Sequence, residues 1–350
     1  MTEEFESEQS FPEDYYKYDT RNFKKFLDEF ANDIRKGYNQ SFRHQISNIK
    51  KTEGMRIIVC GMGGSGIAAM LMQTYLEDEP IDFELANSYG ISGKLTSKDL
   101  VILSSYSGNT EEVISCYRQA RRIGSQVIII ASGGKLEELA GMGRLPLIKL
   151  PKEYPPRAAL GLMFFTLLRL LQDLAIISDK SDEVDSLTET FTGKNFNEFG
   201  VNLSEKLNGK IPIIYSSNIF YPVAYRWKTQ LNENAKTLAF SNQISEMNHN
   251  ELNGFENKNG IFHVVLITTD EDISRIRKRT GLVKEILQKN GVDVTELHVK
   301  GSRLNKIFTA VLAGDYTSYY LALRYGIDPY PVDTIEKFKR DLGPDRKSVV

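Results

Sequence analysis

The feature that most constrains the fold is a hydroxyl-rich loop at residues 103–112, LSSYSGNTEE. The apolar run 100–103 before it and the amphipathic segment after it predict a strand, a loop and a helix in that order. Amide groups at the start of a helix, together with the helix dipole, attract an anion. The loop contains no Lys or Arg, and such neutral donors suit a phosphate monoester that binds and leaves again. The alternative is a serine-rich turn with Thr110 as an ordinary N-cap.

A second loop of the same kind lies upstream. The apolar residues 56–60 are followed by GMGGSG at 61–66 and by an apolar helix start from residue 67. These glycines satisfy the pattern GxGxxG, but that spacing serves any phosphate held at a helix N-terminus. A dinucleotide site would also place an acidic residue at the end of the next strand, whereas Glu84 falls inside that strand and Asn87 ends it. An NAD-dependent oxidoreductase is therefore disfavoured, and a nicotinamide-binding assay would test it.

The order of predicted elements indicates an α/β fold. Strands and helices alternate from residue 55 to about 178 and again after a polar, aperiodic stretch, which predicts two doubly wound parallel-sheet domains in tandem. We expect an N-terminal arm with helices at 1–50, a first domain with both loops at 51–178, a linker at 179–197, and a second domain with a C-terminal helix at 198–350. The corresponding loop of the second half, residues 216–218, lacks glycine, so phosphate binding is assigned to the first half.

Composition excludes several other functions. Lys and Arg number 44 against 46 Asp and Glu, which gives a formal charge of −2 and recommends neither nucleic acid nor an anionic membrane as a partner. No apolar run reaches membrane-spanning length. The two cysteines, Cys60 and Cys116, form no CxxC motif, and a reducing cytoplasm is the natural inference. The four histidines form no i, i+4 pair, so no zinc site is expected.

Taken together, the two loops resemble the sugar isomerase (SIS) domain, a phosphosugar-binding α/β unit. Three later pieces are PPRAALG at 155–161, NENAK at 232–236 and NHNE at 248–251. They resemble one family within it, the bifunctional phosphoglucose/phosphomannose isomerases, and the resemblance covers about residues 50–342. It implies a metal-independent isomerase without a cofactor. That enzyme would interconvert fructose 6-phosphate with glucose 6-phosphate and mannose 6-phosphate through a cis-enediol.

The resemblance also assigns roles to single residues. Glu233 matches the family's catalytic base, and His249 would assist ring opening from the neighbouring subunit, which implies a homodimer. Arg157 would hold an enediolate oxygen. A lysine of the last helix would reach the substrate. When the helix is aligned with the family's final helix on the leucine that follows, Lys339 matches better than Lys337. Each residue also has a purely structural interpretation. Glu233 would be a solvated glutamate, His249 a loop histidine, Arg157 part of a salt bridge at a domain junction, and either lysine a surface residue.

The phosphate of the sugar is expected to contact hydroxyl and amide donors at the two helix starts. These donors belong to Gly64, Ser65, Ser105, Ser107 and Thr110. Two rival functions remain within the same fold. One is a non-catalytic SIS regulator that senses a sugar phosphate, although no helix-turn-helix or basic segment accompanies the domains. The other is a different SIS enzyme, such as half of a glucosamine phosphate synthase, although no amidotransferase domain is present.

Overall fold

The computed structural model describes residues 11–257 and 259–343. The strands are β1 (Ile57–Cys60), β2 (Phe83–Ala86), β3 (Leu100–Ser104), β4 (Gln126–Ala131), β5 (Leu147–Lys149), β6 (Ile211–Ser216), β7 (Phe240–Gln243), β8 (Phe262–Thr269) and β9 (Asp293–Val299). The helices are α1 (Lys24–Asp28), α2 (Phe30–Tyr38), α3 (Gly63–Tyr75), α4 (Glu111–Ile123), α5 (Gly134–Gly143), α6 (Leu160–Asp173), α7 (Ser181–Phe191), α8 (Asn197–Leu207), α9 (Tyr221–Asn234), α10 (Ile244–Met247), α11 (Glu251–Gly254), α12 (Ser274–Lys289), α13 (Arg303–Arg324) and α14 (Asp333–Leu342). Short 3₁₀ helices occupy Glu13–Tyr18 and Pro156–Ala159.

The chain divides into two compact units, each built around one sheet. The first sheet unit comprises Glu29–Thr192 and the segment that begins at Asp333. The second sheet unit comprises Gly193–Val332 and the segment that ends at Asp28. Each unit therefore combines stretches that are distant in sequence.

The first sheet is parallel throughout and has the strand order β2-β1-β3-β4-β5. From β1 the chain passes through α3 to β2 on one side, and it then continues from β3 through β4 to β5 on the other. The direction of winding thus reverses between β1 and β3, which pair with Cys60 opposite Leu103. Ligands of doubly wound sheets bind at this reversal, at the carboxyl ends of the strands. Both predicted loops follow the two strands concerned, and the predicted α/β fold is confirmed.

Helix α6 supplies much of the interior of the first sheet unit. Its sequence is apolar on nearly every side, and its residues from Leu160 to Leu168 are all buried. It packs against α2 and α3. The contact with α2 is close, since a Cβ at Gly161 would lie 2.7 Å from the ring of Phe30. The sequence predicts a buried helix for the apolar run at 158–174, because Arg169 interrupts it too much for a membrane span, and α6 confirms that prediction.

The second sheet is also parallel, with the order β7-β6-β8-β9 and the same reversal, here between β6 and β8. Its central helix is α13, which packs against α8 and α9. Trp227 of α9 is fully buried there and donates from Nε1 to the carbonyl of Ala310 at 2.7 Å. A Cβ at Gly314 would lie 2.5 Å from the indole, so glycine at this position lets the two helices approach.

Several local elements differ from the sequence-based expectation. Residues 181–191, within the expected linker, form α7, because Val184, Leu187 and Phe191 recur at helical spacing and are buried. The apolar stripe through Phe23, Phe30 and Ile34 predicts one helix, but it is divided into α1 and α2. A second short helix is expected through Phe42 and Ile46, but the residues around them form turns. The β-branched and apolar residues from Thr237 predict a strand that starts there, but β7 begins at Phe240, since the preceding residues continue the turn that closes α9.

Two findings concern the described residues only. No helix within 11–257 or 259–343 has the length and apolar character needed to cross a membrane. The same residues contain no group of three or more His, Cys, Asp or Glu side chains arranged to hold a metal ion.

A buried ion pair in the second sheet unit provides a test of its core. Arg226 of α9 and Asp315 of α13 form two hydrogen bonds of 3.1 and 2.8 Å, and their side chains are 1% and 7% exposed. Replacing Asp315 by Leu leaves the guanidinium buried without its carboxylate, and we expect a loss of about 3–5 kcal/mol of stability. Urea unfolding followed by Trp227 fluorescence measures it. The double replacement Arg226→Met, Asp315→Leu should recover most of the loss, and a double variant as unstable as the single one would contradict this account.

Candidate phosphosugar site

The first loop turns tightly between β1 and α3. Helix α3 begins at Gly63, whose φ of +50° lies in the left-handed region that favours glycine. A Cβ at Gly66 would lie 2.8 Å from the carbonyl oxygen of Gly61, so the two ends of the loop nearly touch. The first amide groups of α3 are thereby held at the carboxyl end of β1, where an anion can accept their hydrogen bonds.

The second loop is held together by its own hydroxyl groups. The hydroxyls of Ser105 and Thr110 lie 2.8 Å apart, and the amide of Gly108 donates to Ser105 Oγ at 3.1 Å. Thr110 is the residue that precedes α4, and its side chain pairs with Ser105 instead of capping the helix. Ser105 is buried, whereas Ser107 is exposed and accepts from the amide of Asn109 at 3.3 Å. The loop thus presents hydroxyls at the start of a helix.

Gly108 shapes the second loop. Its φ is +71°, and a Cβ at this position would lie 1.8 Å from the carbonyl oxygen of Gly133. Leu136 donates its amide to the carbonyl of Gly108 at 2.9 Å, which ties the loop to the start of α5. No side chain larger than hydrogen can occupy this position without moving the backbone.

A hydrogen bond joins the two loops. The hydroxyl of Ser65, in the first turn of α3, accepts from the amide of Tyr106 at 3.1 Å. Both residues are buried. Because β1 and β3 are neighbours, the two loops emerge side by side, and this bond fixes their separation.

Arg157 lies next to the first loop. It belongs to the 3₁₀ helix that precedes α6 and is only 4% exposed. A Cβ at Gly64 would lie 2.9 Å from the carbonyl oxygen of Pro156 and 3.3 Å from the Cα of Arg157, so glycine admits this segment to the loop. The first sheet unit therefore brings Arg157 and the predicted residues of both loops to one edge of the sheet. A buried cation beside neutral donors suits a ligand with an anionic group.

Glu233 lies in the last turn of α9, in the second sheet unit, and is half-buried. Its neighbours fix the end of that helix. Asn234 is buried and donates to the hydroxyl of Ser318 at 2.9 Å, while Asn232 Oδ1 accepts from the amide of Ala239 at 3.0 Å. The ammonium of Lys236 donates to the backbone carbonyl of Glu233 at 2.8 Å. These hydrogen bonds fix the backbone that carries the Glu233 carboxylate.

His249 lies in an exposed turn just after α10 in the same unit. Asn250 Oδ1 accepts from the amide of Glu251 at 2.6 Å and so caps α11, and Asn248 Oδ1 accepts from Arg279 at 3.0 Å. Within the part of the chain that the structure describes, the imidazole of His249 has no hydrogen-bond partner. The polar turn is fixed by its asparagines, and the histidine itself faces outward.

The two lysines considered for the C-terminal helix lie on α14. Lys337 and Lys339 are both exposed, as are the other residues of this helix. Their assignment to the substrate remains a prediction. The same holds for the roles of Glu233 and His249, which belong to the other unit.

The structure adds residues that the sequence did not single out. Tyr106 lies inside the second loop and donates from its hydroxyl to the carbonyl of Pro151 at 2.7 Å. Its carbonyl accepts from both the amide and the hydroxyl of Ser132, at 2.9 and 2.6 Å. Tyr154 donates its amide to the hydroxyl of Tyr106 at 3.0 Å. Their only sequence signal is proximity to the motifs SSYSGNT and PPR.

The corresponding edge of the second sheet has a different chemistry. Asp270 and Glu271 follow directly after β8. Lys306 of α13 is only 2% exposed, and its ammonium lies 2.8 Å from the carboxylate of Asp270 and 2.5 Å from that of Glu271. Its hydrogen bond holds the pKa of Asp270 below the usual range. Arg303 also pairs with Glu271, at 3.0 Å. Carboxylates already neutralise these cations, which supports the assignment of phosphate to the first sheet alone.

Comparison with known families agrees with these two sheets. Residues 51–144 match the family described as the SIS domain. Residues 196–342 match the family described as the bacterial phospho-glucose isomerase C-terminal SIS domain. The two matched segments contain the first and the second sheet respectively, except for β5.

Individual proteins are similar over most of the chain. A bifunctional phosphoglucose/phosphomannose isomerase of Caldicellulosiruptor bescii is 35% identical over 84% of this chain and 91% of its own length. A D-glucosamine-6-phosphate 4-epimerase of Sulfolobus acidocaldarius is 34% identical over 67% of this chain and 75% of its own. Among solved structures, the tagatose-6-phosphate ketose/aldose isomerase of Escherichia coli has a TM-score of 0.66 at 14% identity. That match covers 87% of this chain and 93% of the other, and it concerns the fold alone.

Two glycines with the same backbone conformation test the second loop. Gly108 and Gly124 have φ of +71° and +80°, but a Cβ at Gly124 would meet nothing within 4 Å. We expect Gly108→Ala to weaken the binding of glucose 6-phosphate at least tenfold, because the loop must move away from Gly133. Gly124→Ala should cost about 1 kcal/mol of stability and leave binding unchanged. Calorimetric titration and thermal unfolding measure the two effects, and equal binding by both variants would contradict the role given to this loop.

Proposed function

The chain belongs to the family of the bifunctional phosphoglucose/phosphomannose isomerases, and we propose that it interconverts fructose 6-phosphate with glucose 6-phosphate and mannose 6-phosphate. One observation carries the proposal. Two hydroxyl- and amide-bearing loops are joined by the Ser65–Tyr106 hydrogen bond at one edge of the first sheet, beside the buried Arg157. Such an edge is suited to a phosphate monoester carried by a small polar molecule.

The phosphate would be held without a resident cation in either loop. Its oxygens would accept hydrogen bonds from hydroxyl and amide donors at the starts of α3 and α4. The donors are those of Gly64, Ser65, Ser105, Ser107 and Thr110. Neutral donors bind the dianion while allowing the product to leave, which turnover requires.

Glu233 would act as the base. It would remove the proton from the carbon next to the carbonyl, the electrons of that C–H bond would form a double bond between carbons 1 and 2, and the former carbonyl oxygen would take up a proton to give a cis-enediol. Return of the proton from Glu233 to the neighbouring carbon, with loss of the proton from the other enediol oxygen, completes the shift of the carbonyl between carbons 1 and 2. A site that returns the proton to either face of carbon 2, or lets the bond between carbons 2 and 3 turn, yields both epimers.

Three further side chains would complete the reaction. Arg157 would stabilise the negative charge that develops on the enediolate oxygen, because its guanidinium is always protonated. His249, from the neighbouring subunit of a homodimer, would assist ring opening by moving a proton to or from the ring oxygen. Lys339, or Lys337 in its place, would contact the substrate from α14. No metal is required by this scheme, since side chains supply the charge stabilisation.

The proposal places the enzyme in the cytoplasm, where its two free, buried cysteines stay reduced. A purely sensory function is disfavoured, because the similar full-length proteins are named as enzymes. Because the Sulfolobus relative is named as a D-glucosamine-6-phosphate 4-epimerase, glucosamine 6-phosphate should also be tested as a substrate.

The role of Glu233 is tested by Glu233→Gln. We expect turnover of fructose 6-phosphate to fall at least a hundredfold, because the amide cannot accept the proton, while binding of D-glucitol 6-phosphate, which cannot isomerise, changes less than twofold. Product formation is followed by NMR in buffer containing EDTA, and binding by calorimetry. Glu285→Gln, on the exposed side of α12 in the same unit, is the matched control and should retain full activity. Undiminished turnover by Glu233→Gln would refute the mechanism.

Donation of His249 across a dimer predicts complementation. The variants Glu233→Gln and His249→Asn should each be nearly inactive alone. When they are mixed and allowed to exchange subunits, half of the dimers are mixed, and each has one site with both residues intact, so activity should reach about a quarter of wild type. If His249 serves its own chain, no mixed dimer contains an intact site, and the mixture stays inactive.

A further inference from the structure

An isolated carboxyl group lies in the interior of the first sheet unit. Asp33 of α2 has no exposed surface. Its Oδ1 accepts a hydrogen bond from the hydroxyl of Tyr154, and within residues 11–257 and 259–343 no group pairs with its Oδ2. Burial raises the pKa of this carboxyl to about 7, against the opposing effects of Tyr154 and Lys36 and with a contribution from Glu29.

This arrangement opposes folding at neutral pH. The unfolded chain loses the proton of Asp33 near pH 4, whereas the folded chain keeps it until about pH 7. Stability therefore falls as the pH rises through this window and stays reduced above it. A leucine or alanine in the same helix would avoid the loss. A buried group that costs stability in this way points to a role outside the core.

Tyr154 connects this carboxyl to the second loop. Its hydroxyl donates to Asp33 and accepts from the ammonium of Lys36 at 2.9 Å. Its backbone amide donates to the hydroxyl of Tyr106 at 3.0 Å, and that hydroxyl donates onward to the carbonyl of Pro151 at 2.7 Å. The two rings meet edge to face, with centroids 6.5 Å apart. The segment 151–154 is thus closed around the side chain of Tyr106.

We propose that Asp33 is a positioning residue for the phosphosugar site and that it acts through the hydroxyl of Tyr154. When Tyr154 is fixed, its backbone amide fixes the hydroxyl of Tyr106, and the backbone amide of Tyr106 in turn donates a hydrogen bond to the hydroxyl of Ser65. On the other side, Arg157 follows three residues later, on the 3₁₀ helix that lies against Gly64. The bond from Asp33 to Tyr154 therefore determines where both the second loop and Arg157 stand.

The function of Asp33 in this arrangement is to accept one hydrogen bond. An amide oxygen accepts the same bond, so asparagine should replace aspartate without loss of ligand affinity, whereas alanine should not. A role confined to core packing also favours Asn over Ala, because Asn matches the volume of Asp, but it predicts that Tyr154→Phe lowers ligand affinity no more than Tyr38→Phe does. The inference rests on the proposed function only for the identity of the ligand.

The experiment measures the affinity of the full chain for D-glucitol 6-phosphate by calorimetry. Tyr154→Phe and Asp33→Ala are expected to weaken binding about tenfold, and Asp33→Asn to bind within twofold of wild type. The matched control is Tyr38→Phe. Tyr38 is also a buried tyrosine of this unit, 2% exposed, and its hydroxyl bonds to Gln172, away from the loops. Thermal unfolding of every variant identifies the temperature at which all are folded.

Three outcomes decide the inference. Weakened binding by Tyr154→Phe and Asp33→Ala, with normal binding by Asp33→Asn and Tyr38→Phe, supports it. Unchanged binding by Tyr154→Phe, or weakening no greater than that of Tyr38→Phe, overturns it, as does a wild-type chain that does not bind the probe. If the wild type binds the probe but does not isomerise fructose 6-phosphate, the proposed reaction fails while the positioning role is still decided by the binding data.

Discussion

The hydrogen bond between the hydroxyl of Ser65 and the amide of Tyr106 is the interaction on which the candidate site depends. It joins the first turn of α3 to the loop after β3, at the point where the winding of the first sheet reverses. Two helix starts become one binding edge only if their loops keep a fixed separation. Glycine at 66 and 108 permits the close backbone approaches that this separation requires. The remaining hydroxyls are thereby held on a rigid frame, as a preorganised binding site requires.

The two sheets show how one topology supports different chemistry. Both are parallel and reverse direction between their second and third strands in spatial order. At the reversal of the first, the loops carry neutral donors, and the buried Arg157 lies beside one of them. Near the reversal of the second, Lys306 is already paired with Asp270 and Glu271. The first edge offers an anion neutral hydroxyl and amide donors, whereas the second offers cations that already form ion pairs, so local side chains and not the fold distinguish the two edges as candidate anion sites.

The sequence predicted the features that depend on local pattern. Apolar strands, glycine-rich loops and the buried helix α6 all follow from periodicity and composition, and so does the α/β class. The predicted start of β7 was wrong because Lys236, in the turn after α9, has a φ of +51°. No local sequence pattern predicts this left-handed conformation for a lysine. Asp33 carried no signal at all, since an acidic residue on an amphipathic helix is usually solvated. Its burial depends on α6 and on Tyr154, more than a hundred residues away, and no local pattern reports such a contact.

The division of the chain at Asp28 has a consequence for synthesis. The segment that ends at Asp28 packs in the second sheet unit, where Tyr316 donates to Asp28 at 2.7 Å and Tyr319 to Asp19 at 3.0 Å. This segment is synthesised before α13, which follows it by almost three hundred residues. At a translation rate of about 5–20 residues per second, roughly 15 seconds or more pass between the synthesis of this segment and that of α13, against which it packs in the folded chain. Until α13 and the residues just after it are made, Phe11 lacks the ring of Tyr320 and Phe23 lacks the ring of Tyr330, so both apolar side chains are available for non-native contacts during translation.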